Sequence, residues 1–248
     1  MTPDLAIARR FLAEKGAPGA RAAGVTGAHY YGFPSADTRE IVSLKPPPEA
    51  IDYLGVFEGI EIDYTSHDLA ATLRLLLKGN GNMLERILSP FQLLDSDAVT
   101  ELQGLARGAV SQKFFHHYRG FFGRTCQDWR AAQPKTVKGL LYAYRSALTG
   151  IHLLRTGECV GEVTRLAPLY GFPQVPGLVA FKGSGREHGE LAAAGGFDAD
   201  LERLETLLET ARSESALPME SPNADALNEF LVRQRRLHFT WGSEHPNA

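Results

Sequence analysis

Cysteine is nearly absent from this chain: Cys126 and Cys159 are the two in 248 residues. They are too few for a disulfide framework and too far apart for a zinc motif, which points to reduced thiols in a cytoplasmic protein. Positive charge is not in excess either, since 26 Lys and Arg against 29 Asp and Glu leave a formal net charge of −3. That balance excludes a uniformly basic nucleic-acid coat while allowing a local basic groove. No apolar run approaches the roughly 20 residues that a membrane-spanning helix needs. The opening MTPDLAIARRFLAEKG is patterned as an amphipathic helix rather than a leader or an anchor. Internal repeats and low-complexity tracts are lacking as well. What remains, 44% apolar and 22% charged, is the make-up of an ordinary soluble globular protein. The length suits one large domain or two small ones sharing a core.

The first third of the chain reads as a short helix and several strands. Pro3 and Asp4 open a helix with Ile7, Phe11 and Leu12 on one face, and Gly16 ends it. Ala22 to Val25 is a short buried strand that runs into a glycine-rich loop, GVTGAHYYG; taken alone, such a loop is only a tight turn. SADTREIV leads into a second strand. Lys45-Pro46-Pro47-Pro48-Glu49 is a connector, because consecutive prolines cannot join a central ladder. In GIEIDYTSHDL, Ile60, Ile62 and Tyr64 alternate with Glu61, Asp63 and Thr65, giving one buried and one polar face. On periodicity alone Asp63 is equally an exposed strand carboxylate. Ser66 is expected to cap the next helix, with Asp68 in its first turn and Leu69, Leu73, Leu76 and Leu77 facing the core; Gly79 stops it. Met83 to Leu88 is a further short helical run.

From Asp95-Ser96-Asp97 onward the pattern is helical almost to the end. Phe114, Tyr118, Phe122, Cys126 and Trp129 form one buried stripe, and the adjacent His116 and His117 diverge by about 100°, a poor pair of metal ligands. Between Lys135 and Arg155, the core face is Val137, Leu140, Leu141, Tyr144, Leu148 and Ile151. Lys135, Lys138, Tyr142, Arg145 and His152 take the other side, which reads as a solvated face. Leu178 to Lys182 is expected to be extended, and the following Gly183-Ser184-Gly185-Arg186 a plain turn that lacks Walker spacing. Asp198 to Arg212 and Asp225 to Leu237 are the last two helices.

Two stretches carry a resemblance. Lys78, Gly79, Asn80, Asn82, Leu84 and Glu85 follow a KGN-x-N-x-LE helix signature, and IHLLRTGE stands at 151–158. With the glycine-rich loop and the acidic strands, these residues resemble the nucleotidyltransferases of the DNA polymerase β superfamily, in particular the branch associated with RNA repair. The resemblance implies an α+β fold: a small mixed sheet with flanking helices over 1–94, then a mostly helical domain over 95–248. It places Gly27 and Ala28 where the family has a Gly-Ser pair that lets backbone N–H groups approach a triphosphate. The missing hydroxyl could come from Thr26 or Ser35. It makes Asp37 the first carboxylate of an Asp-x-Asp pair and Asp63 the third, together holding Mg²⁺, with Asp63 also accepting the proton of the acceptor hydroxyl. It makes Lys138 and Arg145 phosphate contacts, with Lys113 behind them. Asn80, Asn82 and Glu85 read as ties of the KGN turn.

The family's second aspartate is replaced by Arg39, with Glu40 expected to point away from Asp37 unless a bulge re-aims it. A guanidinium there exchanges −1 for +1, and each unit-charge interaction at ~4 Å is on the order of 4 kcal/mol at an effective dielectric near 20. Two functional readings follow. One is a metal-dependent enzyme that moves a nucleoside monophosphate from a nucleoside triphosphate to a hydroxyl, on RNA. The other is a catalytically degenerate relative, in which Arg39 sits between Asp37 and Asp63 and the protein binds nucleotide, RNA or a partner. A structural helper with no ligand is a third. Membrane association is not expected.

Overall fold

The computed structural model describes residues 3–35, 38–46, 51–184 and 196–244, with side chains to 238. It is an α+β protein with a small four-stranded mixed sheet and mostly helical structure after it. The chain divides into two compact units: Met1–Tyr30, Ser35–Ala109 and Ser221–Ala248 form the first, Tyr31–Pro34 and Val110–Glu220 the second. No helix among the described residues is long and apolar enough to cross a membrane.

In the first unit, α1 (Leu5–Lys15) is capped by Asp4 Oδ1, which accepts from the Ala6 N–H at 2.9 Å. The strands β1 (Ala22–Val25), β2 (Thr38–Lys45), β3 (Asp52–Phe57) and β4 (Ile60–Asp68) lie in the order β1-β2-β4-β3. β2 and β4 are parallel; the outer pairs are antiparallel. Alternation sorts the side chains. Val25, Ile41, Ile62 and Tyr64 fall on one face and pack with Ala8 and Phe11 of α1. The Tyr64 hydroxyl is held inside this core by the Ala17 N–H and the Ser43 hydroxyl, each at 2.7 Å, so its polar end is satisfied.

The opposite face carries Thr38, Glu40, Val42 and Leu44 on β2 and Glu61, Asp63, Thr65 and His67 on β4. Its Val42–Leu44 end is buried, with α2 (Leu69–Leu77) against β2 and β4 and α3 (Gly81–Leu88) against β1. Its other end is open: Glu61 and Asp63 are exposed, and so are Leu54 and Val56 beside them on β3, at 75% and 69%. α4 (Asp97–Gly108) and α10 (Ala224–Glu244) complete the unit; Asn223 Nδ2 donates to the Leu105 carbonyl at 2.7 Å, and Leu227 and Phe230 are buried.

The second unit is built around α6 (Val137–Thr156), with α5 (Phe114–Ala131), α7 (Val163–Leu169), α8 (Val175–Gly183) and α9 (Phe197–Ser213) against it. Every residue of α6 from Ala143 to Leu154 is buried. A helix covered on all sides hides its polar face too, so the solvated face expected at Arg145 and His152 is an interior one.

Three local expectations are corrected. The cap of α2 is Asp68, whose Oδ1 accepts from the Ala71 N–H at 2.7 Å, because Ser66 is still in β4 and takes the Ile51 N–H at 2.8 Å. Leu178 to Lys182 is helical, since Pro176 near the start of α8 pre-sets a helical φ. β3 was not anticipated; it is tied to β4 by Glu58 and Gly59, both at positive φ (49° and 80°), the pattern of a tight hairpin turn.

Candidate active site

The β2–β4 register decides which side chains share the open end of the sheet. It sets Glu40 against Asp63, Thr38 against Glu61 and Arg39 against Ile62. Paired positions on adjacent strands point the same way, and the strands are about 4.8 Å apart. Glu40 and Asp63 are therefore neighbours on the exposed half-face, while Arg39 starts from the face that holds Ile41 and Ile62. Arg39 donates from Nη1 to the Thr38 carbonyl at 2.9 Å. By this parity Arg39 does not stand between Asp37 and Asp63 from the face of Asp63, as the degenerate reading expected; Glu40 shares that face without a bulge. Asp37 lies outside the described residues.

The glycine loop is built onto the same carboxylate. After β1, the Thr26 N–H donates to the Glu40 carbonyl at 2.8 Å and the Thr26 hydroxyl to Glu40 Oε1 at 3.1 Å. Gly27 follows at φ +60°, and a Cβ there would stand 2.1 Å from Glu40 Oε2. The loop needs glycine for its backbone and for the carboxylate beside it. Thr26 thus spends its hydroxyl on Glu40 and does not replace the one missing at Ala28, which sits half-buried in the 3₁₀ turn Gly27–His29. Ser35 is half-buried as well.

Arg86 of α3 supplies the nearby positive charge. Its Nη2 is 3.7 Å from Glu40 Oε1, and its Nη1 meets His67 Nε2 at 2.9 Å. Burial, then Arg86, lower the His67 pKa, which keeps that ring neutral. With the Glu40 side chain 39% exposed, the pair is worth about 0–1 kcal/mol, little enough for a divalent ion or a phosphate to displace. His29, whose Nε2 is 3.2 Å from the Thr38 carbonyl, is lowered to a pKa of about 4, chiefly by burial and then by Arg39.

Two carboxylates in register are a hard oxygen set of the kind that holds Mg²⁺ together with substrate phosphates, rather than an all-protein cage. Among the described residues no group of three or more His, Cys, Asp or Glu could hold a metal. The residues present fit the shared, substrate-completed type of site.

The remaining expected residues belong to the second unit. Lys113 is the N-cap of α5 and ion-pairs with Glu220. Lys138 is half-buried in the first turn of α6. Arg145, two turns on, is 1% exposed; its guanidinium lies 3.6 Å over the Tyr31 ring and 5.7 Å from Phe121. Burial, then the Arg145 charge, push His117 down to about 4. Two further cations escaped the sequence reading. Arg86 had no signal beyond its helix, and Lys182, 5% exposed and 5.9 Å from the Phe33 ring, was hidden by the strand assignment.

The sequence model of a family described as the RNA repair pathway DNA polymerase beta family matches residues 22–233. The chain is also 35% identical over 99 residues to the uncharacterized protein MJ0002 of Methanocaldococcus jannaschii, a match that takes in 39% of this chain and 40% of that protein. The matched segment thus spans well under half the length of that relative.

Proposed function

The chain belongs to the RNA repair pathway DNA polymerase beta family, and from that premise we propose that it transfers a nucleoside monophosphate from a nucleoside triphosphate to a hydroxyl of RNA. The observation that carries the reading is the β2–β4 register, which sets Glu40 beside Asp63 on an exposed stretch of sheet next to the Gly27 turn. In this reading Glu40 and Asp63 hold Mg²⁺, with Asp37 as a further candidate. The chemistry that Mg²⁺ supplies when bound is neutralisation of phosphate charge. Asp63 takes the proton of the acceptor hydroxyl at a carboxylate oxygen. Backbone N–H groups at Gly27 and Ala28 orient phosphate oxygens. Lys138 is the second unit's candidate for a phosphate contact, and Arg145, being buried, acts by holding the α6 surface in place.

A second reading, a degenerate relative that binds nucleotide or RNA without transfer, is favoured by Arg86 beside Glu40. Calorimetric titration with Mg²⁺ and nucleoside triphosphate separates the two. Metal-dependent binding that is lost in Glu40→Gln and in Asp63→Asn supports the transferase. Triphosphate binding indifferent to Mg²⁺ supports the degenerate relative. Arg39→Asp is the control: it leaves metal binding unchanged if Glu40 is the second ligand, and creates it if Arg39 was the obstacle.

A further inference from the structure

The edge of the first unit farthest from β3 holds an open cleft of about 510 Å³ that the carboxylate chemistry does not use. It lies where the residues before β1, the start of α4 and the middle third of α10 meet. Arg21, Leu94, Asp95, Ala98 and Gln234 are among its walls. Arg21 is fixed by its own backbone, whose N–H donates to the Leu44 carbonyl at 2.7 Å. Counting residues along and across the sheet puts that point roughly 20 Å from Asp63.

Two observations mark the cleft as more than a surface irregularity. Gln234 stands in the cleft wall at 5% exposure, which sets a side-chain amide in an otherwise covered place. Arg21 has a buried Nε without a hydrogen-bond partner. Buried polar groups are ordinarily paired, so the unpaired Arg21 Nε in the wall of this cleft calls for a ligand or water to complete it. Charge then narrows the ligand class. Arg233 is neutralised by Glu101, leaving Arg21 against Asp95 and Asp97. A net negative lining repels a polyphosphate, although the first-turn N–H groups of α4 alone would welcome one. The Gln234 amide and the Asp95 carboxylate offer acceptors, Arg21 and Gln234 offer donors, and Leu94 and Ala98 offer apolar walls. A flat, neutral ring system with alternating donors and acceptors satisfies all of them.

We propose that this cleft is a nucleobase-binding site, separate from the carboxylate corner, that takes an unstacked base of the RNA strand or a free nucleoside. The choice of a base among neutral heteroaromatics rests on the RNA-repair reading above; the cleft and its lining do not. Gln234 reads the base edge through its amide, as glutamine can do bidentately with adenine, and Arg21 donates to a ring or carbonyl acceptor.

The test uses the full chain, with free adenosine, guanosine, cytidine and uridine in one arm and short single-stranded RNA oligomers in the other, both without Mg²⁺. Binding is followed by chemical-shift perturbation and calorimetry. At least one nucleoside or oligomer is expected to bind, with affinity falling tenfold or more in Gln234→Met, which keeps the volume and removes donor and acceptor together. Ala98→Leu, which narrows the cleft from a half-buried position on α4, is expected to weaken binding severalfold. Asp63→Asn is expected to leave it unchanged. An oligomer that binds while free nucleosides do not identifies the strand as the source, and the reverse identifies the nucleoside; either outcome upholds the site. Absence of binding in both arms, or binding that survives Gln234→Met and Ala98→Leu, overturns it. Because transfer is lost with Asp63 and this binding is not, failure of one reading is distinguishable from failure of the other.

Discussion

Gly27 faces Glu40 so closely that a Cβ on the glycine would stand 2.1 Å from the carboxylate oxygen, at a backbone φ of +60°. Two costs therefore meet in Gly27→Ala: a left-handed backbone for a residue with a Cβ, and a collision with Oε2. Together they are expected to cost about 2–4 kcal/mol, read as a lowered urea midpoint. Only the collision disappears when Glu40 is shortened. The double variant Gly27→Ala/Glu40→Ala should recover part of the loss, and strict additivity of the two single changes would show that the carboxylate does not press on the glycine.

Arg86 competes with any cation for Glu40. Replacing it with Met keeps the apolar stem of the side chain and removes the guanidinium 3.7 Å from Oε1. Arg86→Met is expected to raise Mg²⁺ affinity severalfold at low ionic strength, with the gain shrinking as salt screens the exposed site. A salt-independent affinity equal to that of the unsubstituted protein would mean that Glu40 does not ligate the ion.

His29 and His117 set an acid limit on stability. Both are pushed down to about 4, by burial first and then by Arg39 and Arg145 respectively. Unfolding returns each ring to an ordinary value near 6.5, so between about pH 4 and 6.5 the unfolded chain binds more protons than the folded one. Stability thus rises with pH through this window and is lost as pH falls from about 6.5 toward 4. After allowance for solvent screening, each ring is worth about 1–2 kcal/mol at the acid end. In His29→Gln and His117→Gln the slope of unfolding free energy against pH should flatten over that window, as followed by urea titration at successive pH values.

The fold was legible where apolar alternation and helix boundaries coincide. Ile60, Ile62 and Tyr64 announced β4, and Asp4, Gly16 and Gly79 marked helix ends that the structure keeps. The polar face of that alternation also put Asp63 on the exposed side. That Glu40 shares this side is hidden when positions are counted from Asp37 and visible when they are counted from the core. Ile41 is buried with Ile62 and Tyr64, so Glu40, one residue away, had to share the parity of Asp63. Parity within β2 carried that information all along. The interior character of Arg145 was not legible, because an amphipathic pattern on one helix does not reveal that Tyr31 and Phe121 lie against its second side. Neither did any local pattern bring Gln234 of the last helix beside Arg21, since that meeting is set by tertiary packing across most of the chain.

Lys138 and Arg145 stand two turns apart on α6, but their surroundings assign them different work. Arg145 is 1% exposed, with its guanidinium 3.6 Å over the Tyr31 ring, a contact that combines cation–π attraction with close packing. Removing it opens a cavity next to Phe121 and deprives Tyr31 of its neighbour, so Arg145→Ala should cost about 2–4 kcal/mol of stability. Arg145→Lys keeps the charge but not the planar fork, and should still lose roughly 1–2 kcal/mol, because an ammonium on a flexible stem cannot stack. Lys138 is half-buried and keeps a route to solvent. Lys138→Ala is expected to leave the thermal midpoint within a degree or two while weakening triphosphate binding about tenfold, the loss of one charge-assisted phosphate contact. Thermal melts and nucleotide titrations on the three variants separate the roles, and a Lys138→Ala protein that melts early but binds triphosphate normally would reverse the assignment.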